Sequence, residues 1–256
     1  MRCSAPGRKE LETATIIVIA AALFVAGGVK GIIGLGLPLT AVSIMGSVID
    51  LRTAIAFIAL PIVATNLWQA IQGGRMGEIL REYWVINLCS VIGTFAGAEI
   101  LFLVDPRYLT VFLGLVVVVY VAINVTRFRP RLSARAAPWV APPTGVLSGI
   151  LTGTTGSVGI PVALFLQARG VSKDVFVRAL ALTFLISGSM LVVALLRKGA
   201  IGTHEATISA LSLVPAFAGM WLGQKLRGHL SEERFRICVF GFLLLAALNL
   251  IRRGLM

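Results

Sequence analysis

Long apolar runs separated by short polar or glycine-containing breaks organise this chain from end to end. The first run opens after Glu12 and reaches Gly28, where Lys30, Gly31, Gly34, Gly36 and Pro38 interrupt it before a short run to about Val48. Further runs cover Thr53–Ile71, Tyr83–Val104 and Tyr108–Val125. A basic linker from Arg127 to Pro143 follows, carrying Arg127, Arg129, Arg131 and Arg135. Beyond it, Gly145–Gly159 leads through Pro161 into a short run ending near Ala168, and Val175–Leu196, Ala206–Leu226 and Phe235–Ile251 complete the chain. A helix crosses a bilayer with about 20 apolar residues, so each longer run predicts a membrane helix.

The part after the linker repeats the part before it. Gly36-Leu37-Pro38 matches Gly159-Ile160-Pro161, Arg52 matches Arg178, and Gly93/Gly97 match Gly219/Gly223. The shift is 123 residues from Gly36 to Gly159 and 127 from Gly114 to Gly241, which describes an internal duplication. The expected architecture is therefore an all-α polytopic membrane protein of about ten membrane or half-membrane segments. Residues 1–126 form the first repeat, 127–143 the linker and 144–256 the second repeat. An odd number of segments per repeat turns the second one upside down, the inverted arrangement common in secondary transporters. Arg2, Arg8 and Lys9 before the first apolar run also resemble a signal peptide. Cleavage after Gly28 would, however, remove an element that the second repeat keeps as Gly145–Thr155.

Composition sharpens this picture. Of 256 residues 57% are hydrophobic and only 13% charged, with a mean hydropathy of +0.94. Soluble domains carry about 25% charged residues, so this chain reads as a multi-pass membrane protein, and its expected location is the inner, cytoplasmic membrane of a cell. That excludes a cytosolic enzyme, a nucleic-acid module and a disulfide scaffold, although Lys+Arg 23 against Asp+Glu 11 leaves a net charge of +12. Most of those cations fall in loops, more on the linker side than on the other, which predicts a cytoplasmic linker. Cys89 and Cys238 lie in apolar runs without metal-ligand spacing, and the sequence asks for no cofactor.

The chemistry concentrates at the two breaks, Gly27–Pro38 and Gly149–Pro161. Glycine costs about 1 kcal/mol inside a helix and proline about 3, so neither stretch reads as continuous helix. In lipid such backbone survives only against protein or a watery cavity. Two broken helices or hairpins meeting near the midplane would turn backbone N–H groups toward an anion. Gly93/Gly97 and Gly219/Gly223 read instead as close helix contacts.

Glycine-rich stretches of this kind, one opening each half of a chain of this length, resemble the TauE/SafE sulfite-exporter family, also called the toluene-sulfonate uptake permeases. The resemblance runs from about Ile16 to Ile251 and implies secondary transport of a small sulfur-containing anion such as sulfite, a sulfonate or sulfoacetate. Lys30 in the first stretch and Ser157-Val158 in the second depart from the commonest family pattern. Coupling to protons or another ion and a homodimeric state are compatible with this reading.

Within that frame the expected substrate-binding residues are Lys30, Gly31, Gly34 and Gly36 at the first break, with Thr154, Thr155, Gly156, Ser157 and Gly159 at the second. Lys30 is the basic residue placed squarely inside an apolar run, where a lysine costs about 2.5–3.5 kcal/mol, and it faces Gly153 in the repeat alignment. Asn66 and Gln69, one turn apart, would either donate amides to sulfonate oxygens or hydrogen-bond between helices. Arg178, like its match Arg52, starts an apolar run and would stand in a vestibule for anions. Glu99 is a rare acid in such a run, a proton relay or the partner of a loop cation. His204 and His229 read as interfacial. The competing functions are a passive anion channel lined by the same glycines and an intramembrane hydrolase. Thr155-Gly156-Ser157-Val158-Gly159 lacks the first glycine of a nucleophile elbow, and both histidines lie in loops. With no H-E-x-x-H motif and no nucleotide-binding loop, neither metalloprotease nor ATP-driven chemistry is supported.

Overall fold

Twelve helices account for the apolar runs in the computed structural model, which describes residues 6–46, 48–72, 74, 76–126, 131–156, 159–226 and 232–255. The first half holds α1 (Pro6–Ile33), α2 (Leu37–Met45), α3 (Leu51–Ile71), α4 (Met76–Glu82), α5 (Trp84–Leu103) and α6 (Pro106–Val125). The second holds α7 (Ala137–Thr155), α8 (Ile160–Ala168), α9 (Lys173–Arg197), α10 (Thr203–Leu211), α11 (Leu213–Leu226) and α12 (Glu232–Leu255). Each half thus has one helix more than the five expected. The additions are α4 and α10, short helices whose sequences read as the edges of longer runs. Among the described residues six segments are long and apolar enough to cross a membrane: Thr15–Ile33, Leu51–Ile71, Trp84–Leu103, Pro106–Ile123, Lys173–Arg197 and Thr203–Leu226.

Packing crosses between the halves. Helix α1 lies on α11 and α7 lies on α5, in both cases through glycines. A Cβ at Gly27 would fall on the Ala216 carbonyl oxygen, and one at Gly31 on that of Met220. Likewise a Cβ at Gly149 would fall on the Ser90 carbonyl and one at Gly153 on that of Thr94. Close approach of this kind is how helices gain contact where lipid supplies no hydrophobic drive. Since Ala216 and Met220 follow Ser90 and Thr94 by the same spacing as Gly219 follows Gly93, the equivalent of Gly153 is Gly31. The equivalent of Lys30 is therefore Thr152, not Gly153, which corrects the repeat alignment by one residue. Gly241, aligned with Gly114, meets no neighbour, whereas Gly114 and Gly254 both bury against the partner helix in the α6–α12 pair.

Side-chain contacts fix helix directions. Asn87 pairs with Thr183, Ser90 with Ser187 and Glu99 with Lys198, so α5 and α9 run parallel. Near the start of α9, Arg178 donates from Nη1 to the Gly74 carbonyl beyond the end of α3 at 3.2 Å, so α3 and α9 run antiparallel. The buried apolar residues form two clusters, one around α2 and one around α8, and Leu35 in the first break packs against both.

Candidate functional site

The breaks are built alike. Gly34 and Gly156 end α1 and α7 with φ of 89° and 63°, and Gly36 and Gly159 start α2 and α8 with φ of 102° and 107°. Left-handed backbone is open to glycine and strained for any other residue, so these four positions decide where the chain turns back. Pro38 and Pro161 follow in the first turn, where the missing N–H costs nothing. The second break is one residue longer, Ser157-Val158 standing where the first has Leu35 alone. Ser157, an expected donor, lies outside the described residues. Position within each glycine stretch therefore sets the role: early members pack helices and late members break them.

Helices α2 and α8 have 9 residues each, about 13 Å at about 1.5 Å per residue. That is near half of the hydrocarbon core of about 30 Å. The N-cap residues, Gly36 and Gly159, supply no side-chain cap to either N-terminus. Both line one cleft, whose walls include Leu35, Gly36, Pro38, Gly159, Ile160, Val116, Tyr120 and Phe184. A second cavity of about 170 Å³ shares Leu35, Tyr120, Ile160 and Ala163 with it and continues to Ile123 and Gln167, which adjoin the linker. On the other flank Leu37, Thr40, Ala41 and Leu113 are fully buried.

Lys30, Asn66, Gln69, Thr154, Thr155 and Arg178 are not in the wall of this cleft. Lys30, in the last turn of α1, is 1% exposed and donates from Nζ to Asn66 Oδ1 at 2.5 Å. Asn66 returns its own Nδ2 to the Ile62 carbonyl at 2.8 Å. Gln69, on the same face of α3, is buried and its Oε1 has no partner among the described residues. Thr154 and Thr155 direct their hydroxyls back to carbonyls of α7, Ile150 and Leu151. Arg178 is half-buried at a helix end, and its match Arg52 donates to the Leu101, Phe102 and Val104 carbonyls that close α5 while its guanidinium covers the Phe102 ring. Glu99 pairs with Lys198 at 2.6 Å.

One buried polar group escaped sequence reasoning. Asn87 Oδ1 accepts from Thr183 Oγ1 at 2.8 Å, and Ser187 Oγ donates to Ser90 Oγ at 3.0 Å, all four side chains being buried between α5 and α9. Single hydroxyls in apolar runs are too common to mark such a cluster; the paired spacing Asn87/Ser90 and Thr183/Ser187 was the available signal. Among the described residues no group of His, Cys, Asp and Glu could hold a metal ion.

Several long apolar helices and broken helices meeting at a shared cleft define a multi-pass membrane protein of the transporter class. The family model for the sulfite exporter TauE/SafE matches residues 19–250, nearly the whole chain. The chain belongs to that family, one of membrane transporters for sulfur-containing anions and not of enzymes. No match is found among curated proteins or among solved structures.

Proposed function

We propose that the protein carries a small sulfur-containing anion (sulfite, a sulfonate or sulfoacetate) across the cytoplasmic membrane, binding it between the N-termini of α2 and α8. The observation that carries this reading is the convergence on one cleft of two helix N-termini whose N-cap residues are glycines. Each end has amides without an intrahelical acceptor and roughly +0.5 of an elementary charge, and two such ends sum at one spot. The apolar wall keeps the local dielectric low and so strengthens their pull. Lys30 adds a buried cation near the end of α1, held by a neutral amide rather than an acid.

Alternating access fits the packing. Antiparallel α3 and α9, together with the paired contacts of α1 on α11 and α7 on α5, support the inverted relation of the halves. Because glycine contacts lock each hairpin onto the other half, the moving bodies are mixed: α1–α2 with α11, and α7–α8 with α5. A cavity of about 170 Å³ adjoins the cleft toward Ile123 and Gln167, while Leu37, Thr40 and Leu113 are fully buried on its other flank, an asymmetry that favours a carrier with two alternating faces.

Proteoliposomes containing the purified protein and radiolabelled sulfite or sulfoacetate test the proposal. Saturable uptake, with competition among these anions, is expected. Flux that never saturates would identify a channel, and the absence of binding by any oxyanion would remove the anion site altogether.

A further inference from the structure

A third cavity lies apart from the cleft, on the linker face between the α4–α5 junction, the start of α7 and the end of α8. Its volume is about 320 Å³, and its wall combines Glu82, Tyr83 and Arg169 with apolar Ile86, Ala141 and Phe165. Glu82 and Arg169 share this space, and no ion pair joins them among the described residues. Opposite charges left apart in one cavity match a ligand that carries both signs. We propose that this cavity binds the headgroup of an ethanolamine phospholipid, with its ammonium on Glu82 and its phosphate on Arg169.

Three features choose a lipid over a soluble zwitterion or the transported anion. Trp84 and Trp139, at the starts of α5 and α7, are 56% and 83% exposed beside the cavity, the placement of indoles at the level of lipid headgroups. The same two helices, α5 and α7, also expose the apolar side chains Leu88, Val140 and Leu147, a surface suited to acyl chains. The carboxylate of Glu82 opposes entry of a simple anion. Burial, then the neighbouring Glu82, push the Tyr83 phenol up to about 12, so it stays a neutral donor for a phosphate oxygen. A primary ammonium donates hydrogen bonds to Glu82, which a choline headgroup cannot do and a glycerol headgroup does without charge. Cationic pockets at the membrane edge hold anionic headgroup groups by the same electrostatics.

The test uses the full-length protein, stripped of lipid in detergent and mixed with phosphatidylethanolamine, phosphatidylcholine or phosphatidylglycerol. Retained lipid is read by native mass spectrometry and stability by thermal unfolding. Phosphatidylethanolamine should be retained over phosphatidylcholine by about fivefold, a contact of about one charged group. Glu82→Gln should abolish that preference, and Arg169→Gln should lower retention of all three lipids. Ala141→Leu, which fills the apolar wall and leaves both charges, should also reduce retention and guards against charge variants that fail to fold. Equal retention of the ethanolamine and choline lipids overturns the proposal, as does unchanged retention in all three variants. Equal stabilisation by soluble phosphoethanolamine or inorganic phosphate would assign the cavity to a soluble ligand and overturn the lipid. None of these readouts depends on transport.

Discussion

Lys30 Nζ and Asn66 Oδ1 lie 2.5 Å apart, each in a fully buried side chain, on helices α1 and α3. A cation held by a neutral amide leaves its desolvation only partly offset. A nearby anion would complete the compensation. Lys30→Met should therefore weaken anion binding roughly tenfold to a hundredfold, about 1–3 kcal/mol, while the protein still folds. Asn66→Leu strands the ammonium and should lower thermal stability more than Lys30→Met does. The double variant should recover most of that loss. A double-mutant cycle on melting temperature and sulfite affinity measures both. Unchanged affinity in Lys30→Met would make the residue a structural partner of α3 alone.

Two glycines three residues apart on α1, Gly28 and Gly31, should respond in opposite ways. A Cβ at Gly31 would collide with the Met220 carbonyl, whereas at Gly28 the nearest atom is the Gly219 carbonyl oxygen at 3.8 Å. Gly31→Ala should destabilise by about 1–3 kcal/mol, because rigid backbone cannot yield. Gly28→Ala should be neutral or stabilise by up to about 1 kcal/mol through helix propensity. Thermal unfolding in one detergent compares the two, and equal effects would count against the α1–α11 contact.

The buried flank contains two hydroxyls with no hydrogen-bond partner among the described residues, Thr40 Oγ1 and Ser43 Oγ on α2. The match of Gly36 to Gly159 places Thr40 opposite Ala163, which lines the open cleft. Orphaned hydroxyls are costly when buried and cheap once wet. With the native cysteines replaced, Thr40→Cys should react with an impermeant thiol reagent applied from the face away from the linker, and faster during turnover. Ala163→Cys should react from the linker face. Thr40→Cys that stays inert throughout transport would argue against exchange of the two flanks.

Arg52 and Arg178 match in sequence but not in duty. Arg52 serves three carbonyls at the end of α5 and Arg178 one carbonyl after α3. Arg52→Met should cost about 1–2 kcal/mol of stability, since charged donors satisfy orphan carbonyls and oppose the negative helix end. Arg178→Met should cost less. Neither should alter the Kd for sulfite by more than about twofold. A large affinity loss in either would return it to the anion path.

The membrane as solvent and the two breaks were legible in the sequence, because both depend on local energetics. An apolar run of about 20 residues cannot be hidden in water, and glycine followed by proline interrupts a helix wherever it stands. Which glycines break and which pack was not legible: Gly31 and Gly34 read alike, and only the approach of α11 separates them. The same holds for Lys30, whose acceptor lies 36 residues away, and for Asn87 with Thr183, 96 residues apart. Short α4 and α10 carry too few apolar residues to stand out from the longer runs beside them. The tertiary structure alone decided that two short helices share one cleft, that each hairpin rests on the opposite half, and that Thr152 is the counterpart of Lys30. Those outcomes depend on backbone surfaces meeting across the bundle, where sub-ångström fit between distant segments outweighs anything one segment prefers alone.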